Sequence, residues 1–152
     1  FITAEKLMIK NMKIENCNGC EACIVACKQR CIKTVLKDNG EKEPVVNMDG
    51  CTRCNACRLY CPLFNPVELP EFEQLYNAEE DPFFRNMPPI YRETMRLVKN
   101  NQHAEFMGTL CQIAGLKSLL GDVLPSRLQV IPIACDQKNP RNEKCAKCEF
   151  YK

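Results

Sequence analysis

Apolar runs in this chain are short, and cysteines, prolines and charges interrupt them. Ile32-Lys33-Thr34-Val35-Leu36 and Pro44-Val45-Val46-Asn47-Met48 flank the turn triplet Asp38-Asn39-Gly40, a pattern that predicts a β-hairpin. Past Pro88-Pro89, the residues Tyr91, Met95 and Val98 recur at i, i+4 and i+7, which predicts a helix through Lys99 with proline in its first turn. Ala104-Glu105-Phe106-Met107 reads as a short buried strand, Gly108-Thr109-Leu110-Cys111 as a turn, and Gln112 to Leu120 as a helix stopped by Gly121. Leu128 to Ala134 then reads as a second strand, at an edge because it contains Pro132. A strand, helix and strand of this length predict a right-handed parallel crossover. Both strands would end on one side, bringing Cys111 and Cys135 to the carboxyl edge of the sheet, where α/β proteins hold ligands. The fold class expected is α+β, with the hairpin unit first and a small α/β region after it.

Composition narrows the function. The chain has 152 residues, enough for one domain or two small ones with a modest core. A formal charge of +2, evenly mixed, gives no footprint for nucleic acid. The longest apolar run, near Val130 to Cys135, is too short for a membrane span. No secretory leader pattern precedes the cysteines, so a reducing cytoplasm is the expected compartment, although a chain that begins at Phe1 reads as a processed or partial polypeptide. His103 is the single histidine, and an exposed or structural role is expected for it. From Pro66 to Phe84 six acidic residues occur with no lysine or arginine, between prolines. That stretch reads as a solvated linker, or as a strap for a partner given Leu69, Phe72, Leu75, Tyr76, Phe83 and Phe84.

The cysteines carry the chemistry. Twelve of thirteen fall into three groups of four, and two groups are copies of one spacing displaced by 34 residues: Cys17-x2-Cys20-x2-Cys23-x3-Cys27 and Cys51-x2-Cys54-x2-Cys57-x3-Cys61-Pro62. Thiolates are soft ligands, and runs of four at this spacing suit iron-sulfur cubanes better than zinc knuckles, which use pairs. The third group is Cys111, Cys135 and Cys145-x2-Cys148; by spacing alone it suits zinc or a third cluster equally. Cys31 lies outside the pattern, four residues after Cys27, and is expected to be a spare buried thiol, with a replacement ligand or redox sensor as the sharper alternative. Asn18-Gly19 and Arg53 to Asn55 lie inside the loops, as turn formers or as donors to the sulfurs.

With its repeated motifs and intervening hairpin, the segment from about residue 12 to 64 resembles the bacterial two-cluster ferredoxins. In that family the fourth cysteine of each motif ligates the other motif's cluster. The resemblance implies one 4Fe-4S cluster on Cys17, Cys20, Cys23 and Cys61, and another on Cys51, Cys54, Cys57 and Cys27. Lys28 follows the fourth cysteine of the first motif where proline is usual, as in iron-sulfur subunits of molybdopterin oxidoreductases. Further along, Met107-Gly108-Thr109-Leu110-Cys111-Gln112-Ile113-Ala114-Gly115-Leu116-Lys117 is similar to the Gly-Thr-Pro-Cys-Gln-x-x-Gly-Leu signature of the coenzyme F-420 hydrogenase/dehydrogenase beta-subunit family. That resemblance implies a third 4Fe-4S cluster on Cys111, Cys135, Cys145 and Cys148. Leu110 replaces the signature's proline, and the Gly-rich flavin region of that family has no counterpart here, so flavin is not expected.

The organisation expected is therefore a two-cluster ferredoxin-like domain over residues 1–64, an acidic proline-rich linker or strap over 65–88, and an α/β region with the third four-cysteine site over 89–152. The function expected is an electron-transfer subunit that relays single electrons through three clusters inside a larger anaerobic oxidoreductase. A catalytic subunit or flavoprotein would be its partner in a hetero-oligomer. No paired acid and base marks a catalytic site, because the strong chemical signals are used as ligands. The alternatives are a flavin-containing oxidoreductase of the F-420 beta family, or a two-cluster ferredoxin with a zinc-stabilised docking tail.

Overall fold

Both cysteine runs contain the same backbone event. Glu21 (φ 66°) and Asn55 (φ 64°) occupy the left-handed region, and each is followed directly by a short helix, α1 (Ala22–Ala26) and α2 (Ala56–Leu59). A left-handed non-glycine residue costs about 1 kcal/mol. Its recurrence at equivalent repeat positions means the loop demands it. The computed structural model describes residues 20–36, 42–62, 65, 67–76, 86–121 and 123–134.

The helices α1 and α2 pack together, and between them runs an antiparallel hairpin of β1 (Ile32–Leu36) and β2 (Lys42–Val46), with Ile32 opposite Val46 and Thr34 opposite Pro44. The second strand starts and stops two residues earlier than its apolar pattern suggests. Pro44 is tolerated because each strand of a two-stranded ribbon keeps an unpaired outer edge. The turn at Asp38-Asn39-Gly40 lies outside the described residues. Thr34 Oγ1 donates to Glu21 Oε2 at 2.9 Å, which ties the hairpin to the start of α1.

The second half opens with α3 (Met87–Lys99), whose first turn carries Pro88 and Pro89, where a missing N–H costs nothing. Then come β3 (Ala104–Gly108), α4 (Leu110–Leu119) and β4 (Leu128–Pro132). The two strands pair in parallel from Ala104 opposite Leu128 to Gly108 opposite Pro132. Helix α4 begins two residues sooner than expected because Thr109 and Gln112 form a capping box. It ends at Leu119 with Leu120 as its C-cap, followed by Gly121 at φ 77°.

One core spans both halves. Tyr91 stacks on Phe106 with ring centroids 5.7 Å apart, and Met87, Ile113 and Leu116 close around them. Cys20, Ala22 and Ala26 of the first cysteine run belong to the same buried cluster. Full burial of each large apolar side chain contributes about 1.5–3 kcal/mol. The core therefore holds the first thiol loop against the strand-helix-strand.

The acidic arm is not a free connection where it is described. Leu69 and Phe72 are half-buried against this core, and Lys117 donates to the Glu68 carbonyl. Tyr76 N donates to Pro132 O at 2.9 Å and Tyr76 O accepts from Ala134 N at 2.8 Å, forming a one-residue parallel bridge with Ile133 just past β4. Phe83 and Phe84 lie outside the described residues. The architecture is mixed α+β, and among the described residues no helix is long and apolar enough to cross a membrane.

Candidate metal centres

Of the twelve expected ligands, Cys20, Cys23, Cys27, Cys51, Cys54, Cys57, Cys61 and Cys111 are described, and none of them is in a disulfide. Cys17, Cys135, Cys145 and Cys148 lie outside the described residues.

The four thiols expected for the second centre, Cys27, Cys51, Cys54 and Cys57, line one small, partly open cavity of about 20 Å³. Cys27 arrives from the first run because α1 ends at Ala26 and packs against α2. Cys57 is buried in the first turn of α2, Cys51 is half-buried and Cys54 is exposed. Two polar groups border this cavity or its thiols. Arg53, left-handed at φ 60°, donates its N–H to Cys51 Sγ at 3.3 Å. Asn55 Oδ1 is buried with no partner among the described residues, and a half-turn of that amide would present N–H in its place.

Cys31 lines the same cavity. Its Sγ stands 3.3 Å from Cys27 Sγ, and both residues are buried. Burial pushes the Cys31 thiol up to about 12, reinforced by its contact with Cys27 and by Cys51. Burial also acts to raise Cys27, but hydrogen bonds from Cys31, Gln29 and Arg30 outweigh it and hold Cys27 below the ordinary thiol range. Among the described residues no three His, Cys, Asp or Glu groups converge as around a single ion. Ligands of a cubane bind different iron atoms and stand farther apart than those of one ion.

Of the thiols expected for the first centre, the described ones are largely covered. Cys20 and Cys61 are buried and Cys23 is half-buried. Along α4, Cys111, Gly115 and Ser118 share one helix face at i, i+4 and i+7. A Cβ on Gly115 would lie 2.9 Å from Tyr91 Oη, 3.2 Å from Ala22 Cβ and 3.5 Å from Cys20 Sγ. Three residues on, Ser118 Oγ donates to Tyr60 O at 2.8 Å, next to Cys61. The same helix face thus touches both chain segments that bring thiols to the first centre. Tyr91 completes the joint. Its hydroxyl, fully buried, lies 2.6 Å from Cys20 O and 3.2 Å from Gln112 O. Burial raises the Tyr91 phenol well above its ordinary value, followed by the thiols of Cys20 and Cys111.

Cys111 occupies the first turn of α4, at the carboxyl edge of the parallel pair, with Thr109 Oγ1 3.0 Å from its Sγ. Ile133 N donates to Gly108 O at 2.8 Å, so Ala134, the residue before Cys135, leaves the sheet at that edge too. The residues around Cys111 have local reasons to be there. Thr109 Oγ1 accepts from Gln112 N and Gln112 Oε1 accepts from Thr109 N at 3.0 Å, while a Cβ at Gly108 would meet Phe106 Cε1 at 2.9 Å. His103 is exposed, 3.9 Å from Glu105.

Tyr91 and Ser118 carry no sequence signal beyond helix periodicity, because their partners are 71 and 58 residues away. Comparison with protein-family models, with curated proteins and with solved structures finds no match to this chain.

Proposed function

We propose that this chain is an iron-sulfur electron-transfer subunit, a two-cluster ferredoxin-like unit joined to a third cluster site, that relays single electrons inside a larger anaerobic oxidoreductase. A catalytic subunit or flavoprotein is the partner in this reading. The observation that carries it is the meeting of Cys27, from the first run, with Cys51, Cys54 and Cys57 around one cavity. That crossed set is what two interleaved cubane motifs require. When bound, the clusters supply one-electron redox chemistry.

The protein's own residues place and tune these groups. The N–H of Arg53 on Cys51 Sγ is the kind of contact that raises a cluster's potential by neutralising negative charge on sulfur. The α4 face carrying Cys111, Gly115 and Ser118 lies against the Cys20 and Tyr60 segments. This favours the order second centre, first centre, third centre along the relay.

Iron and acid-labile sulfide analysis, with paramagnetic resonance of the reduced protein, tests the proposal. About twelve iron atoms per chain without flavin is the expected result. About eight iron atoms with bound zinc would replace the third cluster with a zinc-stabilised tail, and stoichiometric flavin would defeat a relay-only role. Iron-free protein after anaerobic reconstitution would refute the proposal. Cys61→Ser should abolish the spin coupling of neighbouring clusters; an unchanged coupled spectrum would count against crossed ligation.

A further inference from the structure

The second centre holds one thiol more than a cubane uses. Cys27, Cys31, Cys51, Cys54 and Cys57 all line its cavity, and Cys31 is buried to the same degree as Cys27, each 9 % exposed. Helical spacing does not bring Cys31 there, since α1 ends at Ala26. A turn does. Arg30, left-handed at φ 53°, donates its N–H to Cys27 O at 3.2 Å and folds the chain back, so that Cys31 Sγ comes to 3.3 Å from Cys27 Sγ.

The backbone at Cys31 is fixed in that place. Its carbonyl accepts from Asn47 N at 2.7 Å, extending the hairpin by one pair, and Gly50 lies in contact range, where an added Cβ would stand 3.4 Å from Cys31 Cβ. Only the side-chain torsion is left to choose between Cys27 and the cavity. Two sulfurs this close on one wall offer alternative fourth donors to the same group.

We propose that Cys31 and Cys27 are interchangeable ligands, so that a cluster held by Cys51, Cys54 and Cys57 takes its fourth thiolate from either. The exchange breaks one iron–sulfur bond and forms another. The proton of the incoming thiol passes to the outgoing sulfur, and no electron is gained or lost. This inference rests on the iron-sulfur reading above.

The test uses the full chain and its Cys27→Ala, Cys27→Ser, Cys31→Ala and Cys27→Ala/Cys31→Ala variants, reconstituted anaerobically with iron and sulfide. Far-UV circular dichroism checks the fold, and iron counts and paramagnetic resonance of the reduced protein are the readouts. Each single variant should keep the wild-type iron count. The Cys27 variants should show a shifted spectrum for one cluster, and the double variant should lose about four iron atoms, one cubane. Loss of those irons in a folded Cys27→Ala or Cys27→Ser protein overturns the inference, as does a double variant that keeps them. A wild-type chain without iron fails the iron-sulfur reading itself, which separates the two failures.

Discussion

Gly115 lies at a close contact between the two halves of the molecule, and substituting it makes a measurable claim about that joint. In the interior of α4, Gly115→Ala should gain about 1 kcal/mol of helix propensity. The new Cβ, however, would lie 2.9 Å from Tyr91 Oη, which is pinned at 2.6 Å from Cys20 O. Displacing that hydroxyl disturbs a buried hydrogen bond, at about 1–3 kcal/mol, and shifting the backbone instead costs a similar amount by overpacking. The clash should outweigh the propensity, for a net loss of about 1 kcal/mol. Tyr91→Phe removes the obstructing oxygen. In that background the Cβ meets Ala22 Cβ at 3.2 Å, which a small adjustment relieves, and Gly115→Ala should stabilise by up to about 1 kcal/mol. The coupling energy is then about 2 kcal/mol, within the range for residues in contact. Urea denaturation of the four proteins, at equal iron content and followed by circular dichroism, measures it. An equal effect of Gly115→Ala in both backgrounds, or stabilisation in the wild-type chain, would refute the packing described.

Thr109→Ala removes the side-chain half of the capping box and should cost about 1 kcal/mol, read as a lower urea midpoint; no change would mean that the box does not hold the start of α4. In the metal-free, reduced protein the thiols of the second centre should make stability depend on pH. Cys31, pushed up to about 12, favours the fold fully below the unfolded thiol value of about 8.5, and that contribution is lost as pH rises towards about 12. Cys27 is held low, so its contribution is present above the unfolded value and lost as pH falls through its folded value. Urea midpoints should therefore fall from about pH 9 upward, and Cys31→Ala should flatten that slope. Equal slopes with and without Cys31 would contradict the burial and contact described for it.

The repeat was legible because ligand spacing dictates loop geometry, and equal spacing recurs as equal backbone at Glu21 and Asn55. Asn55 is a residue type that takes the left-handed region readily, whereas Glu21 is not, so only the second copy carries a local signal for that turn. The Thr109-x-x-Gln112 capping box stands in the sequence, yet Gly108 suggests a turn through Cys111, and the helix starts two residues sooner than that turn would allow. The acidic arm misled for another reason: its charges describe the side facing water, while Leu69 and Phe72 turn to the core. Tyr91 matched a helix face, but its hydroxyl acts across 71 residues, a relation that no local pattern contains.

The repeat is also broken in an instructive place. Position 31 in the first copy corresponds to position 65 in the second. Asn65 turns back on its own helix, donating from Nδ2 to Leu59 O at 2.8 Å and to Arg58 O at 3.3 Å. Cys31 instead gives its backbone to the hairpin and sets its sulfur 3.3 Å from Cys27 Sγ. The two centres differ in exposure in the same sense. Cys54 of the second is exposed, whereas Cys20 and Cys61 of the first are buried, with α4 and Tyr91 against the segments that carry them. Ligand exchange and oxidation begin where solvent reaches sulfur and iron. Of the first two proposed centres, the one with an exposed thiol among its described residues is, on this proposal, also the one with a second donor for its fourth position, whereas the other carries Asn65 at the equivalent place in the repeat.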